Sequence, residues 1–180
     1  TDGSGAWSFT PSTALANGSH TWSVTATDAA GNVSPASPDF TLVVDTTAPN
    51  APVISQAVDD VGTIIGPVSS GQSTDDTLPR LVGTSEPFAT VNIYEGTTLV
   101  GTGTADASGN WSILLTTSLA TGLHSFTAQA TDAAGNTSAP SATFNLTIDT
   151  TPPAQPVLSS IVDDVGNAAT PVANGGLTND

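Results

Sequence analysis

The chain of 180 residues contains no cysteine, no methionine and no lysine, and its one basic side chain apart from two histidines is Arg80. Without cysteine, neither a disulfide framework nor a thiolate site is available, although the compartment stays open because redox argues weakly either way. One arginine cannot neutralise phosphates, which excludes nucleic acid as a partner. No apolar run approaches 18 residues, so direct membrane insertion is not expected. The missing methionine and the missing signal-peptide pattern lead to the expectation of an internal segment whose targeting is carried elsewhere on a parent chain. Amphipathic 3.6-residue periodicity is also lacking, so helices are not expected.

What the chain does have is acid. Sixteen Asp and Glu give a formal charge of −15, although only 9% of the residues are charged. The acids are paired: Asp59 with Asp60, Asp75 with Asp76, Asp163 with Asp164. Two carboxylates about 4 Å apart repel by about 4 kcal/mol at an effective dielectric near 20. With no lysine to relieve them, a cation is the available counter-charge.

The second positive feature is repetition. DTTAPNAPVISQAVDDVG from Asp45 returns as DTTPPAQPVLSSIVDDVG from Asp149, and the same offset of 104 residues carries TDAAGN from Thr27 to Thr131, Trp7 onto Trp111 and His20 onto His124. The expected organisation is the C-terminal part of one repeat (1–48), a complete repeat (49–152) and the N-terminal part of the next (153–180). A unit of that size buries a core without staples.

Within the complete unit, seven strands are predicted at about 53–58, 78–84, 90–95, 98–105, 110–115, 122–130 and 143–148. Period-two alternation is clearest in Trp111, Ile113 and Leu115, in Phe126, Ala128 and Ala130, and in Phe144, Leu146 and Ile148, which should share a core. Seven short strands with turn residues between them indicate an all-β, immunoglobulin-like seven-stranded antiparallel sandwich. The same pattern gives residues 1–48 three strands.

A stacking role is imaginable for Trp7, Trp22 and Trp111, but their placement in alternating strands favours core packing. His20 and His124, each two residues after a glycine, read as structural hydrogen-bonding groups. One histidine per unit with no paired nucleophile makes a poor active site, so an enzyme is not expected. Direct recognition of a glycan or host protein is the alternative; Tyr94 with Phe88 is its candidate aromatic pair, unless Phe88 caps the core.

Strand order decides which acids meet. The turns Asp106-Ala-Ser-Gly-Asn110 and Asp132-Ala-Ala-Gly-Asn136 fall at the pole where the first strand enters. The long connection with Asp59, Asp60, Asp75 and Asp76 falls at the exit pole, where Asp149 ends the last strand and Asp45 does the same for the preceding unit. Stacked end to end, the repeats gather these acids at junctions. The D-x-x-G-N turns suit either a tight hairpin or a ligand shell. The Asp-Asp pairs favour metal, because adjacent acids do nothing for a turn. Oxygen-only donors select a hard cation, Ca²⁺ before Mg²⁺, with affinity on the order of 10⁻⁴ to 10⁻³ M. The candidate ligands are Asp45, Asp59, Asp60, Asp75, Asp76, Asp106, Asp132, Asn136, Asp149, Asp163 and Asp164. Short Pro-rich linkers at 45–52 and 149–156 are semi-rigid, so ions beside them would stiffen a jointed chain into a rod.

The series DTTAP, DDVG, TDD or TND, GNW, GLH and TDAAGN resembles the bacterial Ig-like repeats of giant secreted surface adhesins of the biofilm-associated and RTX type. The resemblance implies a bacterial cell-surface location reached by type I secretion, Ca²⁺ at junctions with neighbouring repeats of the same chain, and an extension region that holds a ligand-binding domain located elsewhere on the parent chain. Asp45, Asp149, Asp59, Asp60 and Asp132 match the family's calcium positions. Asp75 departs from the pattern, becoming Asn179 in the next repeat, which shifts weight to Asp76 and Asp180.

Overall fold

The computed structural model describes residues 4–63, 65–163 and 170–176. No helix forms among them. Two compact units divide the chain, 1–150 and 151–180.

In the first unit the strands are β1 (Gly18–Trp22), β2 (Phe40–Val44), β3 (Val53–Asp59), β4 (Gly66–Val68), β5 (Ser73–Thr74), β6 (Arg80–Thr84), β7 (Thr90–Glu95), β8 (Thr98–Thr104), β9 (Asn110–Leu114), β10 (Gly122–Thr131) and β11 (Phe144–Ile148). One sheet runs β4-β3-β6-β9 and the other β5-β11-β10-β7-β8. They pack face to face as an immunoglobulin-like sandwich. The three alternating triplets expected to share a core do so: Trp111, Ile113 and Leu115, Phe126, Ala128 and Ala130, and Phe144, Leu146 and Ile148 are all at most 3% exposed. Leu81, Val91, Ile93 and Val100 complete the facing layers. Every member of this core lies between Ile54 and Ile148, so the sandwich carries what it needs to fold without its flanks.

Trp111 sits across from Gly83 in the β6–β9 ladder. A Cβ at Gly83 would fall on the Val53 carbonyl and the indole ring, so the glycine is what lets the tryptophan lie inside, and the core reading of Trp111 holds.

The structure differs from the sequence reading in three places. The connection after the first strand contains two strands: β4 folds back on β3, while β5 crosses to the other sheet and pairs parallel with β11. At three and two residues they are too short to show alternation. The strand expected from residue 78 starts at Arg80, because Pro79 has no N–H to give a ladder. Of the three strands expected in 1–48, β1 and β2 alone form among the described residues. The Trp7 segment has no ladder because its counterpart β9 is held by β6, and no equivalent of β6 stands beside it. Trp7 is consequently 59% exposed, against 3% for Trp111.

The pairing register recurs at the sequence offset. Gly18 to Val44 and Trp22 to Phe40 in the first hairpin correspond to Gly122 to Ile148 and Phe126 to Phe144 in the complete sandwich. In the second unit, β12 (Ser160–Asp163) and β13 (Thr170–Ala173) pair Ile161 with Val172 and Val162 with Pro171, as Ala57 pairs with Val68 and Val58 with Pro67.

Candidate functional site

The exit pole of the sandwich is built by the end of β3, the turn into β4, the segment after β5 and the end of β11. Asp59 closes β3 and is 7% exposed. Its Oδ2 accepts the Thr74 hydroxyl at 2.5 Å and its Oδ1 accepts the Val61 N–H at 3.1 Å. Thr74 also lends its carbonyl to the Asp149 N–H at 2.9 Å, which ties the start of the outgoing linker to the acidic loop. Asp75 lies against Gly62, whose φ of 69° no side chain adopts readily and where a Cβ would fall on Asp75 Oδ2. The glycine of the DDVG motif thus makes the space that this carboxylate occupies.

Asp76 is the most perturbed of these groups. It is 3% exposed. Its Oδ1 accepts the Leu78 N–H at 2.7 Å, while Oδ2 is buried without a hydrogen-bond partner. Burial pushes its carboxyl above the usual carboxylate range; the Leu78 amide pulls the other way, the charges of Asp60 and then Asp59 add to the rise, and the Asp60 backbone amide lowers it by less. An ionised carboxylate oxygen buried beside two like charges is costly. A hard cation would supply the missing partner, and the donor set here is oxygen throughout, which fits such an ion. As the side chains stand, no three acidic or histidine groups among the described residues already form a metal cage, so an ion would have to draw them closer and use carbonyl or water oxygens as well.

At the entry pole the acids brace their own turns. Asp106 Oδ1 accepts the N–H groups of Ser108 and Asn110 at 2.8 and 2.9 Å, and Asp132 Oδ1 accepts those of Ala134 and Asn136, both at 2.9 Å. Asn136 Nδ2 donates to Asp132 Oδ2 at 2.9 Å. Asp28 in the preceding repeat holds its turn in the same way. These carboxyls sit below the usual range, Asp106 mainly through the Asn110 amide and Asp132 and Asp28 mainly through the side chains of Asn136 and Asn32. Of the two roles open to D-x-x-G-N, these bonds are those of the turn; the 106–110 turn links β8 in one sheet to β9 in the other. Asn136 Nδ2 also donates to the Asp45 carbonyl at 3.2 Å, so the turn grips the incoming linker. The Asp45 carboxylate itself accepts the Thr47 N–H at 2.9 Å.

The eleven candidate ligands therefore divide. Asp59, Asp60, Asp75 and Asp76 share the exit pole with Asp149; Asp106, Asp132 and Asn136 lie at the entry pole with Asp45. Asp163 ends β12, and Asp164, like Asn179 and Asp180, lies outside the described residues. Sequence reasoning passed over Thr74. Its return as Thr178 ahead of Asn179-Asp180, the counterpart of Asp75-Asp76, was the available signal.

His124 joins two strands and a loop. Its Nδ1 meets Glu95 Oε1 at 2.7 Å and its Nε2 meets the Ala120 carbonyl at 2.8 Å. His20 Nε2 meets the Ala16 carbonyl at 2.8 Å, which is the structural use expected of both. Phe88 does not cap the core. It is 70% exposed. It also makes no pair with Tyr94, because Phe88 stands in the turn that precedes β7 while Tyr94 lies near the far end of that strand, roughly 13 Å along it from Thr90.

An immunoglobulin-like sandwich whose hairpin registers recur in the segments on either side, with its turns braced at both poles, defines the class. The chain belongs to the bacterial Ig-like domain family, whose model matches residues 1–46 and 50–150. It is 32% identical over 152 residues to Exoglucanase B of Cellulomonas fimi, a match that covers 81% of this chain and 13% of that protein. The chain thus spans about an eighth of the curated relative. Among solved structures it resembles the BSP domain of a biofilm associated protein, at 23% identity and a TM-score of 0.40, over 74% of this chain and 20% of the other.

Proposed function

We propose that this chain is part of the non-catalytic extension region of a bacterial cell-surface adhesin, in which Ca²⁺ at the junctions stiffens a string of Ig-like repeats for adhesion or biofilm formation. The observation that carries the reading is Asp76: a buried carboxylate oxygen with no partner, beside Asp59 and Asp60, at the pole from which Asp149 leads into the next repeat. Asp76, Asp59 and Asp60, with Asp75 and Asp149, would hold the ion. Bound there, it would neutralise charges that otherwise repel and give the orphan oxygen a partner.

Two other residues tie the linkers to the poles. Thr74 orients the Asp59 carboxylate and anchors the linker through its carbonyl. Asn136 fixes the incoming linker by gripping Asp45. Export unfolded from a low-calcium cytoplasm, followed by folding outside the cell, accords with a site that is electrostatically unfavourable when empty. Type I secretion and a ligand-binding domain elsewhere on the parent chain belong to the same proposal.

The test is thermal unfolding of the chain in chelator and in millimolar calcium, with small-angle scattering on several repeats. An unfolding midpoint that rises with calcium and a maximum dimension that lengthens are expected. Indifference of both to calcium rejects the reading.

A further inference from the structure

The entry pole carries an anomaly that the calcium reading leaves unused. Phe88 has φ of 63°, alone among the described non-glycine residues in the left-handed region. It occupies the third position of a turn closed by the Ala89 N–H on the Glu86 carbonyl at 3.2 Å, with Pro87 before it. Glycine or asparagine is the ordinary choice at that position. The turn is not a loose loop. The Ser85 N–H bonds the Gly109 carbonyl at 2.8 Å, the Ala105 N–H bonds the Ala89 carbonyl at 3.0 Å, and Gly109 packs so closely that a Cβ there would fall on the Ser85 carbonyl. Three anchors hold an aromatic side chain outward, 70% exposed, where both its backbone and its solvation are unfavourable. Such strain persists where something else requires it.

The position says what that is. Thr90, two residues on, pairs with Thr131, which leads directly into the 132–136 turn whose Asn136 grips Asp45. Phe88 therefore stands on the face where the preceding repeat is attached, continuous with a contact already formed. The opposite pole of the same sandwich presents an apolar rim: Val61, Ile65, Leu78 and Leu123 are 39%, 69%, 40% and 68% exposed around the acidic loop. Leu123 is replaced by Ser19 in the repeat before and Ile65 by Ala169 in the repeat after, so the rim in this form belongs to residues 49–152. In a string of like repeats, that rim faces the next entry pole. Such a head-to-tail contact is heterologous and propagates along the chain.

We infer that Phe88 is a docking residue, seated, where this repeat follows another copy of itself, against the apolar rim of Val61, Ile65, Leu78 and Leu123 of the preceding copy, so that the two engage by an aromatic plug beside the acidic site. This rests on the reading of the chain as a stack of repeats, but not on calcium.

Two successive copies of residues 49–152 test it, because the join recreates the Asp-Thr-Thr-Pro-Pro linker. The chain has no cysteine, so Ile65→Cys in the first copy and Phe88→Cys in the second report proximity by disulfide closure. Closure is expected for that pair and not for Ile65→Cys with Leu99→Cys, a residue 51% exposed on the edge strand β8. Separately, Phe88→Gly relieves the φ strain. The single repeat should then unfold at the same temperature or higher, whereas the two-copy chain should lose a midpoint advantage of roughly 2–4 °C over the single repeat. Equal closure in the control, a two-copy midpoint unmoved by Phe88→Gly, or a single repeat destabilised by it would overturn the inference. So would a glycan or host protein whose binding to the single repeat is lost in Phe88→Gly. Running both assays in chelator and in calcium separates the two proposals. Calcium-dependent lengthening without closure removes only the plug; closure without any response to calcium removes only the ion.

Discussion

Replacing Asp76 with Asn probes the acidic pole with minimal change in shape. The amide oxygen keeps the bond from the Leu78 N–H, and the NH₂ group takes the place of the oxygen that has no partner. In chelator the substitution removes a buried negative charge from beside Asp59 and Asp60 and offers them a donor. A buried unsatisfied polar group costs about 1–3 kcal/mol, so recovery of about 1–2 kcal/mol is expected, visible as a midpoint rise of roughly 4–8 °C per kcal/mol in a domain near 100 residues. Calcium reverses the order. With a dissociation constant of about 10⁻⁴ to 10⁻³ M, 10 mM calcium stabilises the wild type by about 1.4–2.7 kcal/mol through mass action, and Asp76→Asn by well under half of that. Differential scanning calorimetry at both calcium levels reads the four midpoints. If Asp76→Asn is the less stable protein in chelator, or gains as much from calcium as the wild type does, the reasoning about this carboxylate is wrong.

Three further outcomes follow from the same contacts. Acid titration in chelator should show a stability maximum. The Asp76 carboxyl is raised in the folded state, so stability increases as pH falls through its folded value toward 3.8. Asp106 and Asp132 are lowered, so their contribution is present above 3.8 and is lost as pH falls below it. A curve that declines steadily from neutral pH downward contradicts this assignment. Gly62→Ala should displace the Asp75 carboxylate and strain the turn, lowering the chelator midpoint and shifting calcium titrations to higher concentration; unchanged calcium affinity would separate Asp75 from the site. In this 180-residue chain, Trp111→Ala should cost about 3–5 kcal/mol, whereas Trp7→Ala should stay within about 0.5 kcal/mol, and near-equal losses in urea titration would contradict the packing described here.

The sequence by itself determined the repeat length, the strand set from residue 90 to 148 and the core, because each rests on a local pattern that a single strand can display. Alternation in 111–115, 126–130 and 144–148 needs no partner to be read. It also determined that the D-x-x-G-N stretches are turns, since an Asp, a left-handed Gly and an Asn complete their own hydrogen bonds within five residues. Tertiary structure alone decided what depends on a neighbour far along the chain. Whether the Trp7 segment forms a strand turns on a β6 counterpart beside it, and a residue's own sequence carries no record of that. Likewise Asp59, Asp75, Asp76 and Phe88 are ordinary polar or apolar letters until folding buries the first and third, lays the second over Gly62 and holds the last outward against its backbone preference. Burial and strain are properties of the assembled sandwich, because they are set by which atoms exclude water from a group and which bonds anchor its backbone.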